Sequence, residues 1–243
     1  LDITWSEIRT IPLAINLLIL QPIILAIASV TLGLSARVVG QSLGFREGIT
    51  AVSYATFAEI LPLPGGALVR GAALMRSGAS LAHATYIVTL TAILSLAFLV
   101  ALSAAALVLL GTPEGWLILV PAIAGLIVCL ALIARRVSAI LTLAILCVRV
   151  ATAIAGACSI YATLVILSEP TGALEAALLT VSATLGTAVA IVPAGLGISE
   201  SIAAGLASLT SVRPEAAFLA VALHRALGLL ASLAIILLSR IRS

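Results

Sequence analysis

The sequence has no lysine, and charged residues occupy only 9% of its 243 positions. A soluble globular domain carries about 25% charged residues, so this chain has too few of them to cover its own surface in water. Hydrophobic residues make up 63% of the sequence and are gathered in long runs, as they are in membrane-spanning helices. We therefore expect an integral membrane protein.

Aromatic residues are also scarce, at 4% of the chain. Apolar runs of 20–30 residues favour helices over the short alternating strands of an outer-membrane barrel. All 12 basic residues are arginine, and the net charge of +3 does not indicate a nucleic-acid partner. Neither the cysteines nor the histidines show a metal-ligand spacing, so we expect no metal and no cofactor. The cysteines are expected to be small core residues: Cys129, Cys147 and Cys158.

Five of the apolar runs are long enough to cross a bilayer. They lie at about residues 11–34, 81–110, 116–134, 138–167 and 214–238. Gln21-Pro22 is expected to kink the first of them, because proline cannot complete the helical hydrogen-bond pattern. We predict an all-α polytopic bundle that forms a single transmembrane domain over residues 1–243.

Two further apolar segments are interrupted by helix-breaking residues. The first covers residues 49–61, which is 13 residues or about 20 Å of helix and falls short of the ~30 Å hydrocarbon core. The second covers residues 174–192 and is followed by a short helix at 198–209. We predict that each segment turns back as a re-entrant hairpin. The breaks consist of Pro62, Pro64, Gly65, Gly66, Pro193, Gly195 and Gly197.

The two broken segments resemble each other. A shift of 129 positions places Val52-Ser53 on Val181-Ser182, Pro64 on Pro193 and Gly66 on Gly195. Three full spans separate the hairpins, so the hairpins would open on opposite sides of the membrane and form an inverted repeat, as in many transporters. The repeat-like units would cover about residues 40–110 and 169–240.

This topology collects eight arginines on one face of the membrane. By the positive-inside rule that face is cytoplasmic, which predicts a multi-pass protein of a bacterial or archaeal cytoplasmic membrane. The eight are Arg37, Arg46, Arg70, Arg76, Arg135, Arg136, Arg240 and Arg242.

Glu200 and Ser199 lie in the first turn after the second break. The free N–H groups of such a helix start attract an anion, which can be a side chain or a ligand phosphate. Arg225 is eleven residues into the last span, near the membrane midplane, where a charge is expected to face the interior and be paired. The sequence leaves open whether Glu200 and Arg225 form a structural pair or a site for a lipid phosphate.

Three other charged residues are candidates for the same site. Glu59, near the first break, could hydrogen-bond to the turn, titrate, or pair with an arginine. Arg70 could extend to the cytoplasmic face or reach a headgroup. Arg149 lies eleven residues into its span, where we favour extension to the surface or a structural pair. His83 and His224 are expected to be hydrogen-bonded or interfacial.

The stretch "VPAGLGISESIAAGLASLTSVRPEAAFLAVALHR" resembles the C-terminal signature of the lysylphosphatidylglycerol synthase transmembrane family. That signature reads P-x-G-G/L-G-x-x-E, then a helix and a distant arginine. "LPLPGGALVRGAALMRSG" is similar to the family's L-P-x-R-x-G-E-x-x-R motif, with Pro64 in place of the motif arginine and Ala67 in place of the glutamate. Arg37 falls where the family has an arginine that closes an early helix. The matching residues are Leu61, Pro62, Gly66, Arg70, Pro193, Gly195, Gly197, Glu200 and Arg225.

The resemblance covers roughly residues 25–240 and implies a lipid-translocating module without a soluble aminoacyl-lipid synthase domain. The expected ligand is an anionic phospholipid or a polyprenyl phosphate. The residues themselves show no Ser/His/Asp set, P-loop or carboxylate dyad, so we do not expect an enzyme. One alternative is a non-transporting subunit or scaffold for a partner enzyme. Another is a small-solute permease, although a permease would need more polar lining residues than this sequence offers. A homo-oligomer is compatible with each of them.

Overall fold

The computed structural model describes residues 9–61, 64–188 and 197–241. Within these ranges the chain is all-helical and contains no strand. Nine helices are described: α1 (Thr10–Val38), α2 (Phe45–Ala58), α3 (Gly65–Arg76), α4 (Leu81–Leu109), α5 (Gly115–Ala134), α6 (Ala139–Ile166), α7 (Ala173–Ala188), α8 (Ile198–Ala207) and α9 (Pro214–Ile241).

Five of these helices are long and apolar enough to cross a membrane, namely α1, α4, α5, α6 and α9. This confirms the prediction of a multi-pass, all-helical membrane protein. The other four helices are shorter, between 10 and 16 residues. They are arranged as the pairs α2–α3 and α7–α8, which correspond to the two broken segments.

The kink expected at Gln21-Pro22 stays a prediction, but just ahead of Pro22 helix α1 contains a π-helical turn at Asn16–Leu20. Proline has no N–H to bond to the carbonyl four residues earlier, and its ring crowds that carbonyl. Widening the preceding turn accommodates both effects, and π-turns occur frequently at functional positions.

Three helices begin with the pattern Gly-x-x-Glu, in which the glutamate accepts a hydrogen bond from the glycine N–H. The bonds join Gly44 to Glu47 at 3.3 Å, Gly172 to Glu175 at 3.0 Å and Gly197 to Glu200 at 2.7 Å. This is the glutamate half of a capping box, which satisfies one N–H that the helix leaves free. Local sequence therefore determines where α2, α7 and α8 begin.

Helices α2 and α3 pack against each other and form the first hairpin. Gly65, at the start of α3, lies so close to the carbonyl of Ala58 that a Cβ would overlap it. At the other end of the hairpin, Gln41 donates a hydrogen bond to the carbonyl of Gly78 at 3.4 Å. The chain therefore enters and leaves this hairpin at the same place.

Helices α7 and α8 form the second hairpin and meet at Gly186. A Cβ on Gly186 would lie 2.7 Å from the backbone N of Ser199, so only glycine permits this approach. The two ends of the hairpin are joined by Glu169 and Arg213, whose Oε2 and Nη2 atoms are 2.6 Å apart. The backbone N–H of Arg213 also donates to Glu169 at 2.9 Å.

The bundle has two ends that differ in charge. At one, which we call the arginine-rich end, Arg136 lies over the ring of Tyr86, and Arg46 and Arg76 line a groove together with the C-terminal part of α9. At the other, the backbone N–H of Arg9 bonds to Ile166 near the Glu169–Arg213 pair. Helix α9 packs on α1, α2, α6 and α8 and so connects both hairpins to the long spans.

The expectation that all three cysteines are core residues is wrong for two of them. Cys129 is buried between α4 and α5, whereas Cys147 and Cys158 are exposed on the outside of the bundle. In a bilayer the outside of the bundle is itself apolar, so an apolar run does not distinguish a core position from a lipid-facing one.

The Glu169–Arg213 pair should make stability depend on pH. Burial raises the pKa of the Glu169 carboxyl, but hydrogen bonds from the Arg213 side chain and backbone, together with its charge, hold that pKa below its ordinary value of 4.5. Stability from a lowered carboxyl pKa is present above the unfolded value and is lost as pH falls through the folded value. In detergent at neutral pH, the midpoint temperature of thermal unfolding should therefore be higher for wild type than for Glu169→Gln. The two midpoint temperatures should converge below pH 4.5.

Glu114→Gln is the control for this titration, since Glu114 is exposed in the connection before α5. Its midpoint should follow that of wild type at every pH. A difference between wild type and Glu169→Gln that persists unchanged into acid would contradict the assignment.

Candidate functional site

The second break brings Glu200 and Arg225 together inside the bundle. Arg225 Nη1 lies 3.2 Å from Glu200 Oε1 and donates a longer hydrogen bond of 3.3 Å to Ser199 Oγ. The side chain of Glu200 is 4% exposed and that of Arg225 is 17% exposed. The pairing agrees with the prediction that an arginine as deep in its span as Arg225 faces the interior and has a partner.

Glu200 serves two partners at once. Its Oε1 faces Arg225, while its Oε2 accepts the N–H of Gly197, the residue before α8. Gly197 has φ of +81°, a conformation that favours glycine. The carboxylate is therefore both the internal cap and the arginine partner that the sequence suggested. Pro193 and Gly195, the other predicted residues of this break, lie outside the described residues.

A second ion pair lies at the turn of the first hairpin. Arg70 Nη2 donates to Glu59 Oε1 at 2.7 Å, and the two side chains are about one-third exposed. Pro64 precedes α3, and a Cβ on Gly66 would lie 2.6 Å from Cγ of Glu59. The predicted break residues thus make room for the carboxylate, and each hairpin contributes one carboxylate to an ion pair.

Arg149 is enclosed between α1, α4 and α6 and is only 7% exposed. Its Nη1 donates to Ser95 Oγ, while its Nε has no partner in the described parts of the chain. No carboxylate of the described residues pairs with it, and the charge of Arg70 lies within electrostatic range. Neither extension to the surface nor a structural ion pair, the two arrangements favoured from the sequence, is found there.

Hydroxyl groups take the place of a carboxylate around Arg149. A cavity of about 10 Å³ beside the guanidinium is lined by Thr31, Ser35 and Thr91. Their hydroxyls, like that of Ser95, donate to carbonyls in their own helices, which leaves the oxygens as acceptors. This volume is at the lower limit for one water molecule.

A buried polar network was not predicted from the sequence. Ser159 on α6 donates to Asn16 Oδ1 at 2.9 Å, and Asn16 Nδ2 donates to the carbonyl of Ser159 at 3.0 Å. Gln21 Nε2 donates to Ser159 Oγ at 3.0 Å, and His224 Nδ1 lies 2.8 Å from the same oxygen. Nδ1 of His224 donates to this oxygen in one tautomer of the ring and accepts its proton in the other. Two amide side chains within one apolar run were the signal for this network.

Removing Ser159 should be costly. Ser159→Ala removes the hydroxyl that Asn16, Gln21 and His224 share and leaves their remaining buried bonds incomplete, so we expect a loss of about 1–3 kcal/mol in the free energy of unfolding. Denaturation in mixed detergent and SDS micelles measures it. The matched control is Ser232→Ala, because the Ser232 hydroxyl is equally buried and has no hydrogen-bond partner among the described residues. Equal losses in the two variants would contradict the network.

Arginines outnumber carboxylates among the described charged residues of the interior. Arg70 and Arg225 have carboxylate partners in Glu59 and Glu200, and Arg149 has none. An unpaired charge at this depth costs several kcal/mol, and charged residues inside membranes commonly mark the path of a substrate or ion. Histidine, cysteine and acidic residues form no cluster suited to a metal ion within the described ranges.

No protein-family model matches this chain, and no curated protein sequence matches it.

Proposed function

We propose that this protein transports a membrane lipid with a negatively charged, phosphate-bearing headgroup. The observation that supports this most directly is the excess of one arginine in the interior. Arg149 is buried in an apolar bundle and pairs with no carboxylate of the described residues, so an anionic ligand would neutralise its charge. The resemblance to the lysylphosphatidylglycerol synthase transmembrane family points to the same class of ligand. That class comprises anionic phospholipids and polyprenyl phosphates.

In this proposal the two hairpins are re-entrant and form an inverted repeat. Four contacts support it. The ends of the first hairpin meet at Gln41 and Gly78, those of the second meet at Glu169 and Arg213, and each of the two breaks holds a carboxylate–arginine pair. The hairpins open at opposite ends of the bundle. The arginine-rich end would then be cytoplasmic.

The phosphate would move between arginines whose present partners it can replace. Glu200 holds Arg225 through one oxygen only, because its other oxygen caps α8. A ligand phosphate could take over Arg225 and the Ser199 hydroxyl while Glu200 keeps the cap. Glu59, which pairs with Arg70, is the carboxylate we would test for coupling to an ion.

A non-transporting membrane subunit is the second candidate. The direct ion pair between Glu200 and Arg225 favours this candidate, because Glu200 is almost fully buried and already has a partner. A structural role of this pair would join the second hairpin to α9 and require no ligand. Measured lipid movement separates the two candidates.

The test is lipid movement in proteoliposomes made with wild type and with Arg149→Met. Methionine retains much of the length and apolar volume of arginine, and it removes a charge that pairs with no described carboxylate and whose placement at this depth costs at least about 2.5–3.5 kcal/mol. We expect Arg149→Met to unfold at a higher temperature than wild type and to move lipid no faster than protein-free liposomes.

The control is Arg135→Met, which removes an exposed arginine from the connection after α5. It should retain wild-type transport. Normal transport by a folded Arg149→Met would show that Arg149 does not bind the headgroup. No transport by folded wild type, with fluorescent phosphatidylglycerol and polyprenyl phosphate both tested, would favour the non-transporting subunit.

A further inference from the structure

A large groove lies at the arginine-rich end, away from the ion pairs of the interior. It has a volume of about 1360 Å³ and runs between the first hairpin and the C-terminal part of α9. Ligand pockets in proteins usually have about 300–1,000 Å³, so the groove has room for more than a headgroup. Neither Arg149 nor Arg225 lines it.

The mouth of the groove is positively charged. Arg46, in the first turn of α2, and Arg76, in the last turn of α3, both line it and are exposed. Neither arginine has an ion-pair partner in the described ranges. Glu47 is the acidic residue in the lining, and one of its oxygens accepts the N–H of Gly44. Serine hydroxyls add polar groups at this level: Ser42, Ser77 and Ser239.

The floor of the groove is apolar. From Gly44, which caps α2, to Tyr54 the lining extends over ten residue steps, or about 15 Å of helix. Val69, Ala72 and Ala73 of α3 form one wall of the groove. The α9 side is formed by Ile235 and Leu238. The polarity therefore changes from cationic at the surface to hydrocarbon-like toward the middle of the bundle.

We infer that this groove binds a phospholipid of net negative charge, with its phosphate between Arg46 and Arg76 and an acyl chain on the apolar floor. Two arginines that pair with no carboxylate of the described residues favour an anionic group, and a free phosphate ion would leave the 15 Å floor unused. The side chain of Tyr54 lines the deep part, where it would contact the acyl chain. Binding of lipid at the groove does not depend on transport. We also assign the groove as the site where the transported lipid first binds, and this second part rests on the proposed function.

The experiment measures equilibrium binding of phosphatidylglycerol with a fluorescent acyl chain to the purified full chain in dodecyl maltoside, by anisotropy. The charge variant is Arg46→Gln with Arg76→Gln. Each arginine near a membrane surface favours an anionic lipid by about a factor of five, so the double variant should bind roughly 10- to 30-fold more weakly. Its matched control, Arg135→Gln with Arg136→Gln, removes two arginines of the same end that do not line the groove and should bind as wild type does.

A second variant, Ala72→Phe, places a ring on the apolar α3 wall of the groove without changing the charge. It should also weaken binding, whereas Ala82→Phe, at an exposed position of α4 outside the groove, should not. Unlabelled phosphatidylglycerol should displace the probe more effectively than phosphatidylcholine or millimolar inorganic phosphate.

Unchanged binding by the double glutamine variant would overturn the inference. A second result would also overturn it: inorganic phosphate displaces the probe as effectively as lipid does, and Ala72→Phe binds normally. These two observations together would indicate a site for a free anion. Lipid binding at the groove without lipid movement in proteoliposomes would confirm the site while removing the proposed transport. The two failures are therefore distinguishable.

Discussion

Gly186→Val is expected to prevent the second hairpin from forming. The valine Cβ would overlap the Ser199 hydroxyl and lie 2.7 and 2.8 Å from the backbone N and Cα of that residue. Backbone atoms cannot rotate away as the end of a flexible side chain can, so α7 and α8 must separate. Overpacking typically costs about 1–3 kcal/mol and sometimes more. We expect a free-energy cost at or above the upper limit of this range, because separating the helices also displaces Glu200 from Arg225.

The measurement is the fraction of Gly186→Val that elutes as monodisperse protein after extraction, with its apparent melting temperature. Gly205→Ala is the matched control on α8, because a Cβ at Gly205 meets nothing within 4 Å. Alanine in an exposed helical position is preferred to glycine by about 1 kcal/mol, so this variant should be slightly stabilised. A Gly186→Val protein as stable as wild type would show that α7 and α8 do not meet as described.

Glu200→Gln is expected to destabilise the protein by about 3–5 kcal/mol, because it removes the negative member of a buried ion pair. Glutamine can still accept the N–H of Gly197, so the helix cap is retained and the loss reports the missing charge. Glu200→Gln with Arg225→Gln removes both charges and should be more stable than Glu200→Gln alone. The free energies come from denaturation in mixed detergent and SDS micelles.

Glu175→Gln is the control for this series. Glu175 accepts the N–H of Gly172 at 3.0 Å in the same cap geometry, but no ion pair is described for it. Its replacement should cost less than about 1 kcal/mol. If Glu200→Gln costs no more than Glu175→Gln, the pair with Arg225 contributes little beyond the cap. Folded Glu200→Gln protein that fails to transport would place the carboxylate in the transport step instead.

The positions of the helices were largely readable from local signals. The long apolar runs predicted the five candidate spans, and proline and glycine marked the ends of the shorter helices. The Gly-x-x-Glu pattern was also present in the sequence at each of three helix starts. Pro22 predicted a kink in α1, and the π-helical turn just ahead of it depends on how the backbone relaxes around the missing N–H.

The partners of the polar residues were less accessible. The depth of Arg225 and the cap position of Glu200 suggested that they would pair. Nothing near Arg149 in the sequence pointed to Ser95, which is 54 residues away on another helix. Asn16 and Ser159 are separated by 143 residues. These contacts depend on which face of each helix turns toward which neighbour.

The sequence by itself determined that this is a multi-pass helical membrane protein, and it marked where most helices begin and end, because those properties follow from the length of apolar runs and from local backbone chemistry. Only the tertiary structure decided which arginine has a carboxylate, which glycine permits two helices to touch, and where a groove opens between the first hairpin and α9. The physical reason is that a spanning helix is apolar on all sides, since lipid and core are alike in polarity. Hydrophobic periodicity therefore gives no direction to its faces, and small or polar side chains fix them only once the helices pack.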